Sequence, residues 1–138
     1  VTTTLKLLDT DILSEVIKQR DAHVIERAAV YLQNYGVFAF SAFTKFEVDR
    51  GFKEKQAIKL IERFRLFCGH SLILPVSDEV LTIAADLWVL ARRLGRPHGD
   101  ADLVIAATAL DSQRDLVTGN VSHFDWVPGL IVENWRQP

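Results

Sequence analysis

Two rhythms of hydrophobic positions alternate along this chain. Leu5-Lys6-Leu7-Leu8, Val37-Phe38-Ala39-Phe40, Leu72-Ile73-Leu74, Asp115-Leu116-Val117-Thr118 and the weaker Leu130-Ile131-Val132 are short, nearly continuous apolar runs. Between them, apolar residues recur at the spacing that turns one face of a helix toward a core. Asp9-Thr10-Asp11 offers capping side chains for a helix from about Ile12 to Gln19. A second helix carries Ile25, Ala28, Ala29 and Leu32 and ends at Asn34-Tyr35-Gly36. Ser41 is placed to cap a third, which holds Phe43, Phe46 and Glu47 and stops near Gly51. Ala57, Leu60, Ile61, Phe64 and Phe67 mark a fourth, and Val80, Ala84, Leu87, Ala91 and Leu94 the stripe of a fifth that starts at Ser77. After the loop Gly95-Arg96-Pro97-His98-Gly99, Asp100 is read as the cap of an apolar helix through Ile105 to Leu110.

Short, continuously apolar strands separated by helices belong to a parallel sheet covered on both faces. The expected fold class is α/β, a three-layer α/β/α sandwich around a short, mostly parallel central sheet, with residues 1–138 as one domain. Ligands in such sheets sit beyond the carboxyl ends of the strands.

Composition removes several function classes. At 49% hydrophobic and 25% charged the chain is ordinary globular material. It has no apolar run long enough to predict a membrane span. Val1-Thr2-Thr3-Thr4 lacks the basic and apolar regions of a signal peptide, and the single cysteine excludes an internal disulfide and a thiolate zinc cluster. Cys68 follows Phe64 and Phe67 at helical spacing and reads as a small core residue, so a cytoplasmic location is expected. A net charge of −2 gives no global attraction for nucleic acid, which would need a local basic patch or a bound cation.

The candidate chemistry lies in a few of the eighteen acids. Asp9 follows the first strand, Glu47 lies in the helix after the second, Asp100 and Asp102 open the helix before the fourth, and Asn120 follows the fourth. Four segments thus deliver an oxygen ligand toward one sheet edge. Carboxylates that cluster repel one another, by roughly 4 kcal/mol for two charges about 4 Å apart at an effective dielectric near 20, unless a cation neutralises them. An all-oxygen set suits Mg²⁺ or Mn²⁺, which can acidify a water and stabilise a phosphodiester transition state. Each acid also has a plain structural reading. Asp9 and Asp11 could cap a helix, and Asp100 and Asp102 could serve the helix dipole. Glu47, between Phe46 and Val48, is harder to explain as a solvated residue.

LLDTDILS at 7–14, SAFTKFEVDRG at 41–51, DADLVIAATAL at 100–110 and LVTGNVSHFDWVPGLIVENW at 116–135 together resemble PIN-domain proteins. Within that family they resemble the VapC toxin ribonucleases of bacterial toxin–antitoxin pairs. The resemblance covers nearly the whole chain, and its acid-LVIAATAL and TGN–HF–PGL–ENW pieces are its specific part. It implies a homodimeric endoribonuclease that needs Mg²⁺ or Mn²⁺, attacks structured RNA such as transfer RNA, and is silenced by a cognate antitoxin. Asp9, Glu47 and Asp102 take the places of the family's three acids. A frequent fourth acid is replaced by Asn120, which lowers the charge of the site by one. Asp100 could stand in partly as a metal ligand. Thr10, Ser41, Thr44 and Thr118 are candidates for holding the carboxylates, or are simply capping and turn hydroxyls.

Arg50, Lys53 and Lys55, and separately Arg92, Arg93, Arg96 and His98, could track RNA phosphates or be solvated helix ends. His98 and His123 invite a general-acid reading, which a lone histidine supports weakly. Trp126 and Trp135 read as packing residues. Three rivals stand beside the nuclease. A haloacid-dehalogenase-like phosphohydrolase would use Asp9-Thr10-Asp11 but wants Thr or Val where Leu13 stands. A receiver-like module lacks its acid after the third strand. A degenerate PIN fold that only binds a partner is kept open by Asn120.

Overall fold

Among the described residues of the computed structural model, 4–138, five short strands alternate with six α-helices; Val1, Thr2 and Thr3 of the opening tetrapeptide lie outside them. In chain order these are β1 (Lys6–Leu8), α1 (Thr10–Lys18), α2 (Ala22–Tyr35), β2 (Ala39–Ser41), α3 (Ala42–Glu54), α4 (Ile58–Cys68), β3 (Leu72–Leu74), α5 (Asp78–Arg93), α6 (Asp100–Asp111), β4 (Asp115–Val117) and β5 (Val132–Glu133), with a 3-10 turn at Val121–His123. All pairings are parallel. β4 lies between β1 and β5 in a three-stranded sheet, β2 and β3 form a two-stranded one, and β1 lies beside β2, so the two sheets continue one layer.

The pleat divides the core in two, because successive side chains leave a strand on opposite faces. Leu8, Phe40 and Val117 point to one face and pack with Ile12, Leu13, Val24, Tyr31, Phe52 and Phe64 from α1 to α4. Leu7, Ala39 and Leu116 point to the other and meet Val80, Ala84 and Leu87 of α5 and Leu103, Ala106 and Ala107 of α6. The first core is aromatic, with Phe38 and Phe67 stacked at 5.5 Å and Phe52 edge-on to Phe64 at 6.2 Å. The second is mainly aliphatic, with Ala84, Ala106, Ala107 and Ala109 set among larger Leu, Ile and Val side chains. The result is an α/β/α sandwich, as expected from the rhythm.

Several local expectations are corrected. α1 begins at Thr10 rather than near Ile12, and its N-cap is Asp9. Asp100 does not cap α6: Gly99 occupies the cap position with no side-chain hydrogen bond, and Asp100 is the first helical residue. The buried stripe of α2 is Val24, Ala28 and Tyr31; Ala29 and Leu32 are exposed, so that helix carries a second apolar face. α3 runs on to Glu54, past Gly51, and the fifth strand is Val132–Glu133 rather than residues 130–132. Leu94 ends α5 as an exposed cap residue instead of continuing its stripe. Cys68 packs against the aromatic core, and burial pushes its thiol pKa up, which suits an inert side chain. Among the described residues, no helix is long and apolar enough to cross a membrane.

Candidate metal and catalytic site

β1 and β4 are neighbours in register, so the residues that leave their carboxyl ends emerge side by side. Asp9 is one of them. Its N–H donates to the Val117 carbonyl at 2.9 Å, which holds its backbone in the sheet while its side chain caps α1. Oδ1 accepts from the Thr10 N–H at 2.7 Å and Oδ2 from the Thr118 hydroxyl at 2.7 Å. The residue is only 6% exposed. Burial drives its pKa from 3.8 to about 7, and the neighbouring charges of Asp11 and Asp102 push the same way, against the two hydrogen bonds.

Asp102 sits in the first turn of α6, half-buried, with His123 Nδ1 at 3.1 Å and His98 Nδ1 at 3.9 Å from its Oδ2. His98 stacks on Trp126 at 4.9 Å, and Trp126 donates its ring N–H to the His123 carbonyl at 2.7 Å. His98 Nε2 is buried with no hydrogen-bond partner. The two histidines that sequence leaves apart therefore converge on one acid.

Glu47 reaches the site from α3. The Thr10 hydroxyl donates to its Oε1 at 2.7 Å and Arg50 lies 3.6 Å from its Oε2. Thr10 also contacts Thr44 at 3.5 Å, so of the four hydroxyls singled out Thr10 and Thr118 touch a site acid directly. Ser41 instead caps α3 through the Phe43 N–H. Arg50 covers the exposed Phe46 ring at 4.8 Å, Arg92 covers Trp88 at 4.6 Å, and Arg96 binds the Ser122 carbonyl and Asp125, so three of the arginine candidates have protein partners. Lys53, Lys55 and Arg93 are exposed.

Among the described residues, neither Asp100 nor Asn120 bonds a site acid through its side chain. Asp100 is exposed at the start of α6, and no hydrogen bond or ion pair among the described residues joins it to Asp9, Glu47 or Asp102. Asn120 is exposed after β4; its N–H donates to the Thr118 hydroxyl at 3.0 Å, and its side chain caps nothing. Conversely, Asp11 does more than cap. Its Oδ2 accepts from the Gly119 N–H at 2.9 Å, and Arg136 Nε lies 3.8 Å away. The second acid of Asp9-Thr10-Asp11 was a weak hint of this; nothing in the pattern pointed to Arg136.

By kind, these donors fit a hard divalent cation: they are carboxylates, and Asp9 is a buried one whose charge lacks compensation. By placement they are not gathered around a common point. Among the described residues, no three His, Cys, Asp or Glu side chains stand close enough together to hold one ion.

The fold is that of a PIN domain. The PIN domain family model matches residues 6–127, and the chain belongs to that family. Its relatives include Ribonuclease VapC19 of Mycobacterium tuberculosis, 29% identical over 91% of this chain and 97% of that protein. VapBC-1 from nontypeable Haemophilus influenzae superposes with a TM-score of 0.79 at 27% identity, over 96% of this chain and 99% of that one. VapBC2 from Rickettsia felis, bound to a DNA fragment from its promoter, shares the fold at a TM-score of 0.84 and 24% identity, over 95% of this chain and 98% of that one. This family membership sets aside the phosphohydrolase and receiver readings.

Proposed function

We propose that the chain is a Mg²⁺- or Mn²⁺-dependent endoribonuclease, the toxin of a toxin–antitoxin pair, acting on structured RNA such as transfer RNA. The observation that carries this is Asp9, a carboxyl enclosed at the carboxyl end of β1 with its pKa raised to about 7 beside two further acids. An enclosed acid in that state is a poor structural element and a good cation ligand. Asp9, Asp102 and Glu47 would hold the ion once their side chains turn toward it; they are carried to one sheet edge, and no three acids among the described residues yet surround a common point. When bound, it supplies a Lewis acid and a readily ionised water for phosphodiester hydrolysis. Thr118 and Thr10 keep the Asp9 and Glu47 carboxylates aimed. Asp100 and Asn120 would contribute from the rim, reaching substrate or outer waters.

An antitoxin segment has a suitable seat. A groove of about 610 Å³ between α1, α2 and α4 is lined by Ile25, Ala29, Leu32, Leu66 and Phe67 and suits an amphipathic helix. Homodimerisation follows the family resemblance.

The test uses the purified chain, free of any antitoxin, incubated with total RNA and Mg²⁺ or Mn²⁺. EDTA and an Asp9→Asn variant are the controls. Discrete cleavage lost in both controls establishes the activity. Equal behaviour of variant and wild type, without metal-dependent cutting, establishes the second reading, a PIN fold that acts by binding alone, which the separated acids and Asn120 favour.

A further inference from the structure

The C-terminal segment is anchored through Trp135. Trp135 is 3% exposed, packs near Tyr31 and Phe38, and donates its ring N–H to Glu133 Oε1 at 2.7 Å. Arg27 binds the Asn134 carbonyl at 2.7 Å, and the Asn134 side chain accepts from the Arg136 N–H at 2.9 Å. This anchoring delivers the Arg136 guanidinium to three acids of other elements: Asp11 at 3.8 Å, Glu15 at 3.8 Å and Asp21 at 3.9 Å. Glu15 is buried and already has Arg20 at 2.8 Å, so Arg136 is not required to satisfy it.

Asp11 is the contact with consequences. On one side it meets Arg136, and on the other it holds the Gly119 N–H. Gly119 is flanked by Thr118, whose hydroxyl binds Asp9, and by Asn120, whose N–H binds that same hydroxyl. The three parts lie close together: a Cβ on Gly119 would run into Asp11 Oδ2 and touch Arg136 Nε, while Arg136 and Asp11 meet at ion-pair distance. The segment Thr118-Gly119-Asn120 is thereby strapped to the first turn of α1 at two points, Asp9 and Asp11. The second strap carries a negative charge that burial disfavours and that Arg136 and the Gly119 N–H offset.

We propose that Arg136 is a positioning residue for the nuclease site. By holding Asp11 it keeps Gly119 clamped to α1, and so fixes the loop that aims Thr118 at Asp9 and presents Asn120. The role as a site residue rests on the nuclease reading; the clamp itself does not.

Arg136→Gln, Arg136→Lys and Asp11→Asn test both parts. Amide hydrogen exchange in the full chain reads the clamp directly. In Arg136→Gln the Gly119 N–H should exchange about tenfold faster, while the Asp9 N–H bonded to Val117 in the sheet keeps its protection. Arg136→Lys should restore most of the protection, and Asp11→Asn should mimic the loss. Unchanged Gly119 protection in Arg136→Gln overturns the clamp, and equal loss at Asp9 reduces Arg136 to a general stabiliser and overturns it too. Mn²⁺ affinity by titration and RNA cleavage read the functional part. Arg136→Gln should weaken Mn²⁺ binding and lower kcat, with KM for RNA held. A loosened Gly119 with wild-type Mn²⁺ affinity and kcat overturns the positioning role. A wild-type chain that neither binds Mn²⁺ nor cuts RNA refutes the nuclease reading and with it this role, leaving the exchange result to judge the clamp.

Discussion

Asp9 feels the charge of Asp102, yet their surroundings differ in kind. Asp9 is enclosed by the sheet, pinned by two short hydrogen bonds, and given no cation. Asp102 stands half-buried at a helix start with two imidazoles beside it, and Glu47, its counterpart on α3, has Arg50. The inner acid is held by rigid backbone and a hydroxyl, the outer acids by groups that bring their own positive or titratable charge. Rigid enclosure supplies exact aim and raises the free energy of the ionised form. Local partners give the outer acids a nearby imidazole, hydroxyl or guanidinium but tie the side chain to it. This division accounts for acids that occupy one sheet edge without meeting at a point.

Asp9→Asn should break the comparison most severely. Cleavage should fall by roughly three orders of magnitude, as expected when a group acting in the transition state is removed. Stability should move the other way. Unfolded, Asp9 loses its proton near 3.8; folded, it keeps it to about 7. Its contribution to stability is therefore complete below the lower value and lost as pH rises through the upper one. In metal-free protein that loss amounts to about 2–4 kcal/mol at pH 8. Thermal melts in EDTA should show wild type losing stability between pH 4 and 8 with a much flatter curve for Asp9→Asn. Parallel curves would mean that Asp9 is not enclosed as described.

Gly119→Ala attacks the inner end from the loop side. The methyl must displace the Asp11 carboxylate, so the bond to the Gly119 N–H and the approach of Arg136 are lost together. About 1–3 kcal/mol of stability should go with them, the usual penalty when a half-buried hydrogen bond to a charged group is broken. Denaturant titration would measure it, and a loss near zero would show that Asp11 can swing aside freely.

Thr118→Val keeps the shape and removes one hydrogen bond. In metal-free protein, with less support for its ionised form, the Asp9 pKa should rise further, so the profile of stability against pH measured in EDTA should go on falling to higher pH than in wild type. A profile superimposable on wild type would assign control of Asp9 to burial alone.

How much of this was readable beforehand depends on the range of the interaction. The alternation within Leu7-Leu8, Ala39-Phe40 and Leu116-Val117 is a local property of the pleat, so the layers followed from it. Asp9 was legible because an acid ends an apolar run. Glu47 was suggested mainly by the family resemblance, because its place between Phe46 and Val48 says little on a helix that also carries Lys45, Asp49 and Arg50 and exposes Phe46. The cap of α6 was misread because Gly99 and Asp100 both suit a helix start, and backbone geometry decides between them. The stripe of α2 was misread because that helix has two apolar faces and periodicity cannot say which one meets the sheet. The convergence of His98 and His123 on Asp102, and of Arg136 on Asp11, depends on the path of loops and tail, for which hydrophobic spacing carries no information.

The outer wall should respond least. Arg50 is 58% exposed on its side chain, pairs with Glu47 at 3.6 Å and lies over Phe46. An exposed pair of this kind contributes little, so Arg50→Gln should change stability by less than about 1 kcal/mol. Its effect on catalysis separates two roles. If Arg50 meets RNA phosphate, KM should rise a few-fold at low ionic strength, and wild type and variant should converge as salt is raised, because the lost contact is a screened one. If it serves Glu47 alone, kcat should change with KM constant, and salt should leave the ratio untouched. We expect the first outcome: the guanidinium is at the surface beside an exposed ring, and Glu47 keeps the Thr10 hydroxyl at 2.7 Å when Arg50 is gone. Cleavage measured across a salt series decides between them.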